Sequence, residues 1–288
     1  MTRPPLELLA MERPLSGLPL IMQAVEEHQP TRIFAMFSGG NDSVAVLDIA
    51  RRHPQFTAAV YIDTGIALPE AEPRAREICE RLNVPLIVYR ALENTRADGT
   101  ADPQDYDQLV LERGFPGPTP HGHGKMFNRL KQRQFGRLVR DHPNGRIMLI
   151  SGSRRSESAR RARNVRPVTR EGRTVWVAPI WDWSGAQRDA YLAQMDLPRN
   201  PFSPLIGVSG DCLCGAYAKP GQLAAIEEHY PCVGQRLRDL ERRTAEAGFP
   251  WGWESGPPAN WKNEPMPHLY GGAAYEYTCA GCALGGQS

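Results

Sequence analysis

The hydrophobic pattern predicts buried strands that alternate with amphipathic helices over the first two thirds of the chain. Short apolar runs of strand length lie at Arg32–Phe37, Phe56–Ile62, Val84–Arg90, Arg146–Ser151 and Thr174–Ile180. Helical patterns lie at Ser43–His53, Pro69–Leu82, Asp105–Arg113 and Lys125–Arg140. This alternation predicts an α/β fold with a doubly wound, mainly parallel sheet. Ligands of such sheets bind beyond the carboxyl ends of the strands, where loops start at Ser38, Asp63 and Ser151.

The pattern changes after Pro204. Helical segments at Lys219–His229 and Val233–Gly248 lie between turns that carry cysteines, and a Pro/Gly/Trp-rich stretch follows at Phe249–Gly272. We predict an α/β domain over 1–205 and a small, mainly helical, cysteine-rich module over 206–288. The stretch contains three tryptophans, for which packing in a small core is favoured over a stacking surface: Trp251, Trp253 and Trp261.

Composition places the chain among ordinary globular proteins. It has 288 residues, of which 41% are hydrophobic and 23% charged, which excludes a disordered or fibrous chain. No apolar run approaches the roughly 18 residues of a membrane span, and the first residues lack the apolar core of a signal peptide. We therefore expect a cytoplasmic protein with no membrane partner.

The net charge of +2 conceals a strong asymmetry. Between His121 and Arg173 there are fifteen Lys or Arg and three acids, so this basic block carries +12, whereas the remainder carries −10. Such a block is typical of a surface that meets a polyanion. The alternative is a set of solvated helix faces in a chain that prefers Arg, and charge alone does not separate the two.

A glycine-rich loop, Ser38–Ser43, follows the first predicted strand and opens a helix. Paired glycines allow a tight turn that points several N–H groups at a phosphate, and the helix N-terminus adds its positive dipole. Asp42 would either cap the helix or hold a Mg²⁺ that shares the anion. The simpler interpretation is a Gly-Gly turn with an Asx cap.

Six cysteines in a cytoplasmic chain favour metal or redox chemistry over disulfides. Cys79 lies in a helical pattern and is most simply a core residue, and Cys232 lies in a separate helix-start pattern. The other four form a CxC turn and a distant CxxC turn, which together can give four thiolates to one metal site: Cys212, Cys214, Cys279 and Cys282. Their spacing does not separate zinc from a [4Fe–4S] cluster.

Several motifs resemble one superfamily. The glycine-rich loop is similar to the pyrophosphate loop, SGGxDS, of the N-type ATP pyrophosphatases and the phosphoadenosine phosphosulfate (PAPS) reductases. Asp63, Thr64 and Gly65 match the DTG turn of that superfamily, and the segments 122–131, 151–161 and 179–183 resemble its further motifs. The resemblance implies an adenine-nucleotide α-hydrolase-like fold and, as the bound nucleotide, ATP or an adenylyl sulfonucleotide.

The resemblance also implies roles for individual residues. Those with an implied catalytic role are Asp42, Asp63, Lys125, Arg154 and Glu157. Nucleotide binding, with Mg²⁺, is implied for Ser38, Gly39, Gly40, Asn41, Asp42, Ser43, Asp63, Thr64, Gly65, Lys125, Arg129, Gly152, Arg154, Arg155 and Arg160. For Glu157 an ordinary surface salt bridge is the alternative.

The chain departs from its relatives in three ways. Leu68–Ala71 replaces the usual aromatic-Pro-Glu-Thr, and both the C-terminal Glu-Cys-Gly segment of thiol-dependent reductases and the paired Cys-Cys of cluster-containing reductases are missing. The resemblance therefore favours an ATP-dependent sulfurtransferase, similar to the DNA phosphorothioation branch. It would adenylate an acceptor, which the charge allows to be a nucleic acid, and release pyrophosphate. Sulfur would be held at a [4Fe–4S] site, with zinc as the alternative metal. A donor protein would supply the sulfur or the electrons.

Two other functions stay open. One is a sulfonucleotide reductase that releases sulfite from PAPS. The other is a non-catalytic, nucleotide-dependent nucleic-acid-binding module with structural zinc.

Overall fold

One six-stranded sheet forms the centre of the fold. The computed structural model describes residues 17–118 and 120–258, and for residues 120, 121 and 160 it describes the backbone alone. The strands are β1 (Arg32–Met36), β2 (Phe56–Asp63), β3 (Leu86–Arg90), β4 (Ile147–Ile150), β5 (Val168–Glu171) and β6 (Thr174–Val177). Their order is β3-β2-β1-β4-β6-β5, and only β5 runs antiparallel to its neighbour. The predicted doubly wound, mainly parallel sheet is confirmed.

Helices cover both faces of the sheet. In the described residues the α-helices are α1 (Leu18–His28), α2 (Asn41–Ala50), α3 (Ala71–Arg81), α4 (Tyr106–Arg113), α5 (Pro120–Phe127), α6 (Arg133–Asp141), α7 (Ala159–Asn164), α8 (Gly185–Gln194), α9 (Ser203–Ile206), α10 (Gln222–His229) and α11 (Pro231–Glu246). Ile33 and Ala35 of β1 join the core formed with α1, α2 and α8, whereas Phe34 joins the core formed with α6. This alternation follows from the two-residue period of a strand.

Some elements differ from the sequence predictions. The helix predicted over Lys125–Arg140 begins at Pro120 and is interrupted by a π-helical turn, Asn128–Gln132. β5 lies in the arginine-rich segment, where an edge strand with little apolar character gives no strong pattern. π turns are frequent at functional sites because they shift the register of the side chains that follow.

A third core joins the C-terminal helices to the carboxyl end of the sheet. It contains Leu68 and Tyr106 together with Leu213, Leu237 and Trp253. The two helical segments predicted for the C-terminal part agree with α10 and α11, whereas α9 was not predicted, and the boundary at residue 205 stays a prediction. The structure thus packs these helices against the loops that follow the strands.

Buried side chains confirm two of the smaller predictions. Cys79 is a core residue, 1% exposed, and burial raises the pKa of its thiol to about 12. Trp251 and Trp253 are buried and each donates its indole N–H to a backbone carbonyl, so they pack in a core. Trp261 lies outside the described residues. Among the helices that the structure describes, none is long and apolar enough to cross a membrane.

Candidate functional site

The glycine-rich loop connects β1 to α2. Gly39 has a φ of 73°, a left-handed conformation that favours glycine. The Ser43 hydroxyl donates to the Gly40 carbonyl at 2.8 Å and accepts a hydrogen bond from the Ser38 N–H at 3.3 Å. Because α2 begins at Asn41, its N-terminal dipole is directed at this turn. The loop therefore has the features that suit a bound phosphate.

Asp42 does not cap α2. The N-cap residue is Gly40, without a side-chain cap, and the Asp42 carboxylate instead accepts hydrogen bonds from the guanidinium groups of Arg154 and Arg188. Arg188 Nη1 lies 3.3 Å from Asp42 Oδ1. The capping alternative is wrong because this carboxylate turns toward cations from two distant segments of the chain.

Gly152, in the loop after β4, touches the glycine-rich loop. A Cβ at this position would lie 3.0 Å from the carbonyl carbon of Asp42, which is tighter than nearly all Cβ contacts and would require the neighbouring backbone to shift. Arg154 follows two residues later and is 6% exposed. The absence of a side chain at Gly152 thus allows β4 to deliver a buried guanidinium beside the loop.

The turn after β2 has a different arrangement. Asp63 accepts a hydrogen bond from the Gly65 N–H at 2.9 Å and pairs with Arg90 Nη1 at 2.8 Å. Thr64 is fully buried, and its hydroxyl donates to the carbonyl of Asp211 at 3.3 Å. This turn therefore supports the C-terminal segment as well as its own geometry.

The other Lys and Arg side chains expected to bind the nucleotide have different surroundings. Arg155 lies over the ring of Trp181, and Arg129 donates to Gln104 at 3.3 Å. Burial and the nearby Arg113 lower the pKa of Lys125. The side chain of Arg160 lies outside the description.

Glu157 has two partners in the same motif. It accepts a hydrogen bond from the backbone N–H of Arg154 at 2.9 Å and pairs with Arg161. The carboxylate therefore shapes the backbone that presents Arg154, which is more than an isolated surface salt bridge would do.

The cysteine turn, residues Ser209–Gly215, packs directly on the glycine-rich loop. A Cβ on Gly40 would lie 3.1 Å from the Ser209 Cβ, and the Asn200 side-chain amide donates to the carbonyls of Gly39 and Ser209, at 3.0 Å each. Trp253 Nε1 donates to the Leu213 carbonyl at 2.7 Å. The phosphate-type loop and the thiols of the CxC motif are therefore part of one site.

Charged groups surround the two thiols of this turn. The Cys214 thiol donates a hydrogen bond to Cys212 and, together with the nearby Lys131 ammonium, lowers the pKa of Cys212. Lys131 Nζ pairs with Asp211 Oδ2 at 2.8 Å, and the Ser209 hydroxyl donates to the same carboxylate. Lys131 lies in the π-helical turn, whose altered register brings it here.

A cavity of about 430 Å³ opens beside the cysteine turn. Cys212, Cys214 and Lys131 line it, together with Ser151 and Ser153 of the loop after β4. Lys125 and Arg129 are not among its lining residues. The cavity thus lies at the carboxyl end of the sheet, where the pattern of strands predicted a ligand.

Two kinds of metal ligand were expected: four cysteine thiolates for zinc or a [4Fe–4S] cluster, and carboxylates for Mg²⁺. Cys212 and Cys214 are close enough for their thiols to interact, which suits two of the four ligands of one metal centre, and Cys279 and Cys282 lie outside the described residues. Within residues 17–118 and 120–258 no group of three His, Cys, Asp or Glu could hold a metal ion. Asp42 and Asp63, the two carboxylates expected at the nucleotide site, are both paired with arginine in this structure.

Sequence reasoning did not assign several residues of this site. Arg188 gave no local signal because its partner, Asp42, is far away in the chain. Asn200 fits the family resemblance downstream of residues 179–183, but its contacts with Gly39 and Ser209 could not be read from the sequence. Asp211 precedes Cys212 directly, and a carboxylate beside a CxC turn was a signal that could have identified it.

A parallel sheet, a glycine-rich anion loop and arginines at the strand ends define a nucleotide-binding α/β protein of the PP-loop class. The family model described as the phosphoadenosine phosphosulfate reductase domain matches residues 32–204. The chain belongs to this family.

Relatives with curated descriptions agree with the family. A phosphoadenosine 5'-phosphosulfate reductase of Thiocapsa roseopersicina is 29% identical over 200 residues, which cover 68% of this chain and 77% of that protein. One of Xanthomonas oryzae pv. oryzae is 27% identical over 176 residues, which cover 61% and 68%.

Two solved structures are more distant. A PAPS reductase from Candida auris has a TM-score of 0.47 and 15% identity, covering 71% of this chain and 93% of its own. A U34-tRNA thiolase from Methanococcus maripaludis with its [4Fe-4S] cluster has a TM-score of 0.39 and 12% identity, covering 74% and 72%. Likenesses this weak add nothing to the assignment of a function.

Proposed function

We propose that this protein is an ATP-dependent sulfurtransferase that adenylates an acceptor, releases pyrophosphate and replaces AMP by sulfur. The observation that carries the proposal is the direct packing of the cysteine turn on the glycine-rich loop, through Gly40, Ser209 and Asn200. Adenylation and sulfur transfer must use the same acceptor atom in succession. A shared site for nucleotide phosphates and thiols suits that requirement.

In the first step the glycine-rich loop would hold the β- and γ-phosphates of ATP. An acceptor oxygen attacks the α-phosphorus, the bond to the β-phosphate oxygen breaks, and pyrophosphate leaves. Arg154 and Arg188 lie beside the loop and would stabilise the charge that develops on the departing group. Asp42 orients both guanidinium groups, and Glu157 fixes the backbone of Arg154.

In the second step sulfide sulfur, supplied by a donor protein, would attack the activated atom of the acceptor, and AMP would leave with the oxygen. Cys212 and Cys214, with Cys279 and Cys282, would hold the metal centre. A [4Fe–4S] cluster, when bound, would supply an iron atom for that sulfide once one of the four thiolates is displaced, because four thiolates occupy all four irons. Lys131 places a positive charge beside the thiols and would keep an anionic sulfur in the cavity.

The basic block supports a nucleic acid as the acceptor. Spare arginines on an exposed segment suit a phosphate backbone. The same segment suits the third function, a non-catalytic module with structural zinc, in which no AMP would form.

The principal alternative is a PAPS reductase that releases sulfite, and the names of the relatives favour it. The glycine-rich loop and arginines would then hold the sulfonucleotide. Against it stands the lack of a Cys-Cys pair in the sequence.

One pair of assays separates the functions. Anaerobically purified protein is incubated with labelled ATP and an acceptor pool, and pyrophosphate and AMP are measured. The same protein is incubated with PAPS and a thiol reductant, and sulfite is measured. AMP and pyrophosphate without sulfite support the sulfurtransferase, sulfite alone supports the reductase, and neither product supports the binding module.

Variants test the assignment of the site. Ser38→Ala combined with Asp42→Ala should weaken ATP binding at least tenfold. Arg242→Gln changes an exposed arginine of α11 that pairs with Asp239 and Glu246; it is the control and should bind ATP normally. Iron and acid-labile sulfide in the anaerobic protein, with absorbance in the visible range, would identify the cluster, whereas zinc alone would contradict it.

A further inference from the structure

The cavity beside the cysteine turn is lined by two chemically different groups of residues. One group consists of thiols and charged side chains, namely Cys212, Cys214, Lys131 and Asp211. The other consists of the partly or largely exposed rings of His123, Phe127 and Tyr217. A volume of about 430 Å³ is within the range of small-molecule sites. The proposed function uses the thiols and charged groups and leaves the rings without a role.

The three rings form a continuous surface. The ring centroids of His123 and Tyr217 are 5.2 Å apart, and those of His123 and Phe127 are 5.7 Å apart. Tyr217 is 37% exposed, which is unusual for so large a ring beside a cavity. These rings therefore present flat faces and edges at the opening.

The backbone at Tyr217 is also unusual. Its φ of 64° is left-handed, a conformation that costs energy for a bulky side chain. Tyr217 follows Cys214 by three residues, so the strained residue belongs to the segment that also presents the thiols. Strain of this kind is retained where the surrounding structure needs the side chain in one place.

We propose that the ring surface of His123, Phe127 and Tyr217 binds a planar heterocyclic base of a single-stranded nucleic acid beside the thiols of the same cavity. The inference rests on the proposed function and names the group that receives sulfur: an atom of a base rather than of a backbone phosphate. Aromatic side chains bind unstacked bases through their faces. A base stacked on these rings would share the cavity with Cys212 and Lys131.

The surroundings favour a base within a strand over the adenine of the bound nucleotide. None of the residues Ser38–Ser43 lines the cavity, so the nucleotide phosphates would lie outside it. Arg161 lines the cavity, and Arg163, Arg166 and Arg170 follow on an exposed segment. In the part of the chain that the structure describes, these three arginines form no ion pair with a carboxylate. They are placed to contact the phosphates that flank the bound base.

The test uses a single-stranded oligonucleotide that carries one 2-aminopurine, whose fluorescence falls on stacking. Tyr217→Leu removes the ring and Tyr217→Phe keeps it, while Tyr230→Leu makes the same change at a half-buried tyrosine away from the cavity. Wild-type protein, Tyr217→Phe and Tyr230→Leu should quench the probe. Tyr217→Leu should lose the quenching and bind at least about fivefold more weakly, the lower bound for one stacked base. His123→Leu is a second variant, and circular dichroism checks that each variant folds.

Two further measurements distinguish a base of the nucleic acid from the adenine of bound ATP. ATP binding by calorimetry should be unchanged in Tyr217→Leu, and an oligonucleotide with an abasic site in place of the 2-aminopurine should bind wild-type protein more weakly. Weaker ATP binding by Tyr217→Leu with unchanged oligonucleotide binding would assign the rings to the adenine of the nucleotide and overturn the proposal. Equal quenching by wild type, Tyr217→Leu and His123→Leu would also overturn it. The quenching assay measures binding and needs no turnover. If quenching depends on the rings but the ATP assay shows no pyrophosphate release, the sulfurtransferase is refuted and the base site stands.

Discussion

Asp48 is a fully buried carboxylate on α2, the helix that begins at the glycine-rich loop. Burial by itself would raise its pKa, but a hydrogen bond from Tyr191 at 2.7 Å and the charges of Arg52 and Arg51 lower the pKa overall. Both arginines are themselves largely buried, 6% and 13% exposed. The carboxylate therefore joins α2 to α8 through the Tyr191 hydroxyl and pairs with two largely buried guanidinium groups at the end of α2.

Asp48→Asn leaves two shielded arginines without their counter-charge. We expect a loss of about 3 kcal/mol or more in the free energy of unfolding at pH 7, the range measured for broken buried pairs. Because the pKa of Asp48 is lowered in the folded state, its stabilisation is complete above about pH 4, the unfolded value, and is lost as the pH falls further. Urea unfolding of both proteins from pH 3 to 8 measures this, and a difference that grew on acidification would contradict it. Tyr191→Phe, which removes one hydrogen bond, should cost only about 1 kcal/mol.

Gly152 tests the contact between two loops. In Gly152→Ala the new methyl meets the backbone of Asp42 at about 3.0 Å, so the glycine-rich loop must move. We expect roughly tenfold weaker ATP binding and a stability cost of about 1–3 kcal/mol. Gly185→Ala is the control, since a methyl there meets nothing within 4 Å. Calorimetric ATP titration checks both, and equal affinities for the two variants would show that the contact does not shape the loop.

At the scale of elements, two buried tryptophans each donate an indole N–H to the backbone carbonyl of a different loop. Trp253 Nε1 donates to Leu213, inside the cysteine turn, at 2.7 Å, and Trp251 Nε1 donates to Phe115, before α5, at 3.0 Å. A methyl at Gly215 would lie 2.8 Å from the carbonyl oxygen of Trp253, so this residue also packs under the turn. The turn is therefore held by the segment that follows α11.

Phe substitutions separate the two hydrogen bonds. Trp253→Phe and Trp251→Phe should each destabilise the protein by about 1–3 kcal/mol, because each leaves a buried carbonyl unpaired. Only Trp253→Phe should speed the reaction of Cys212 and Cys214 with a thiol reagent, which is followed by mass spectrometry. If the two variants react at equal rates, the tryptophan does not position the turn.

The elements also show what a sequence can predict. β1, β2, β3, β4 and β6 are predicted well because buried parallel strands are short uninterrupted apolar runs. α8 was missed because its buried positions are few, Tyr191 and Leu192. The loop Ser38–Ser43 was visible as a local motif. The pairing of Asp42 with Arg188 was not, because it depends on how two helices meet 146 residues apart.

For the whole molecule, the structure divides the basic block into neutralised and open charges. Arg133 pairs with Asp102, Lys131 with Asp211 and Arg154 with Asp42. Around β5 and its flanks, by contrast, four exposed arginines make no ion pair with a carboxylate of the described residues: Arg163, Arg166, Arg170 and Arg173. These four arginines therefore place open positive charge at one edge of the sheet, where a polyanionic partner would meet it.

This distribution predicts a specific salt dependence. Each phosphate contact contributes about 0.7 to the slope of log affinity against log salt for a single strand. Replacing Arg163, Arg166 and Arg170 by Gln should therefore lower the slope for a single-stranded oligonucleotide by up to about 2. The matched control is Arg238→Gln, Arg242→Gln and Arg243→Gln on α11, where carboxylates already pair with all three arginines, and it should leave the slope close to that of wild type. Fluorescence anisotropy over a salt series measures both. Equal slopes for the two triple variants would mean that affinity follows the net charge of the protein and that the edge at β5 is not the contact surface.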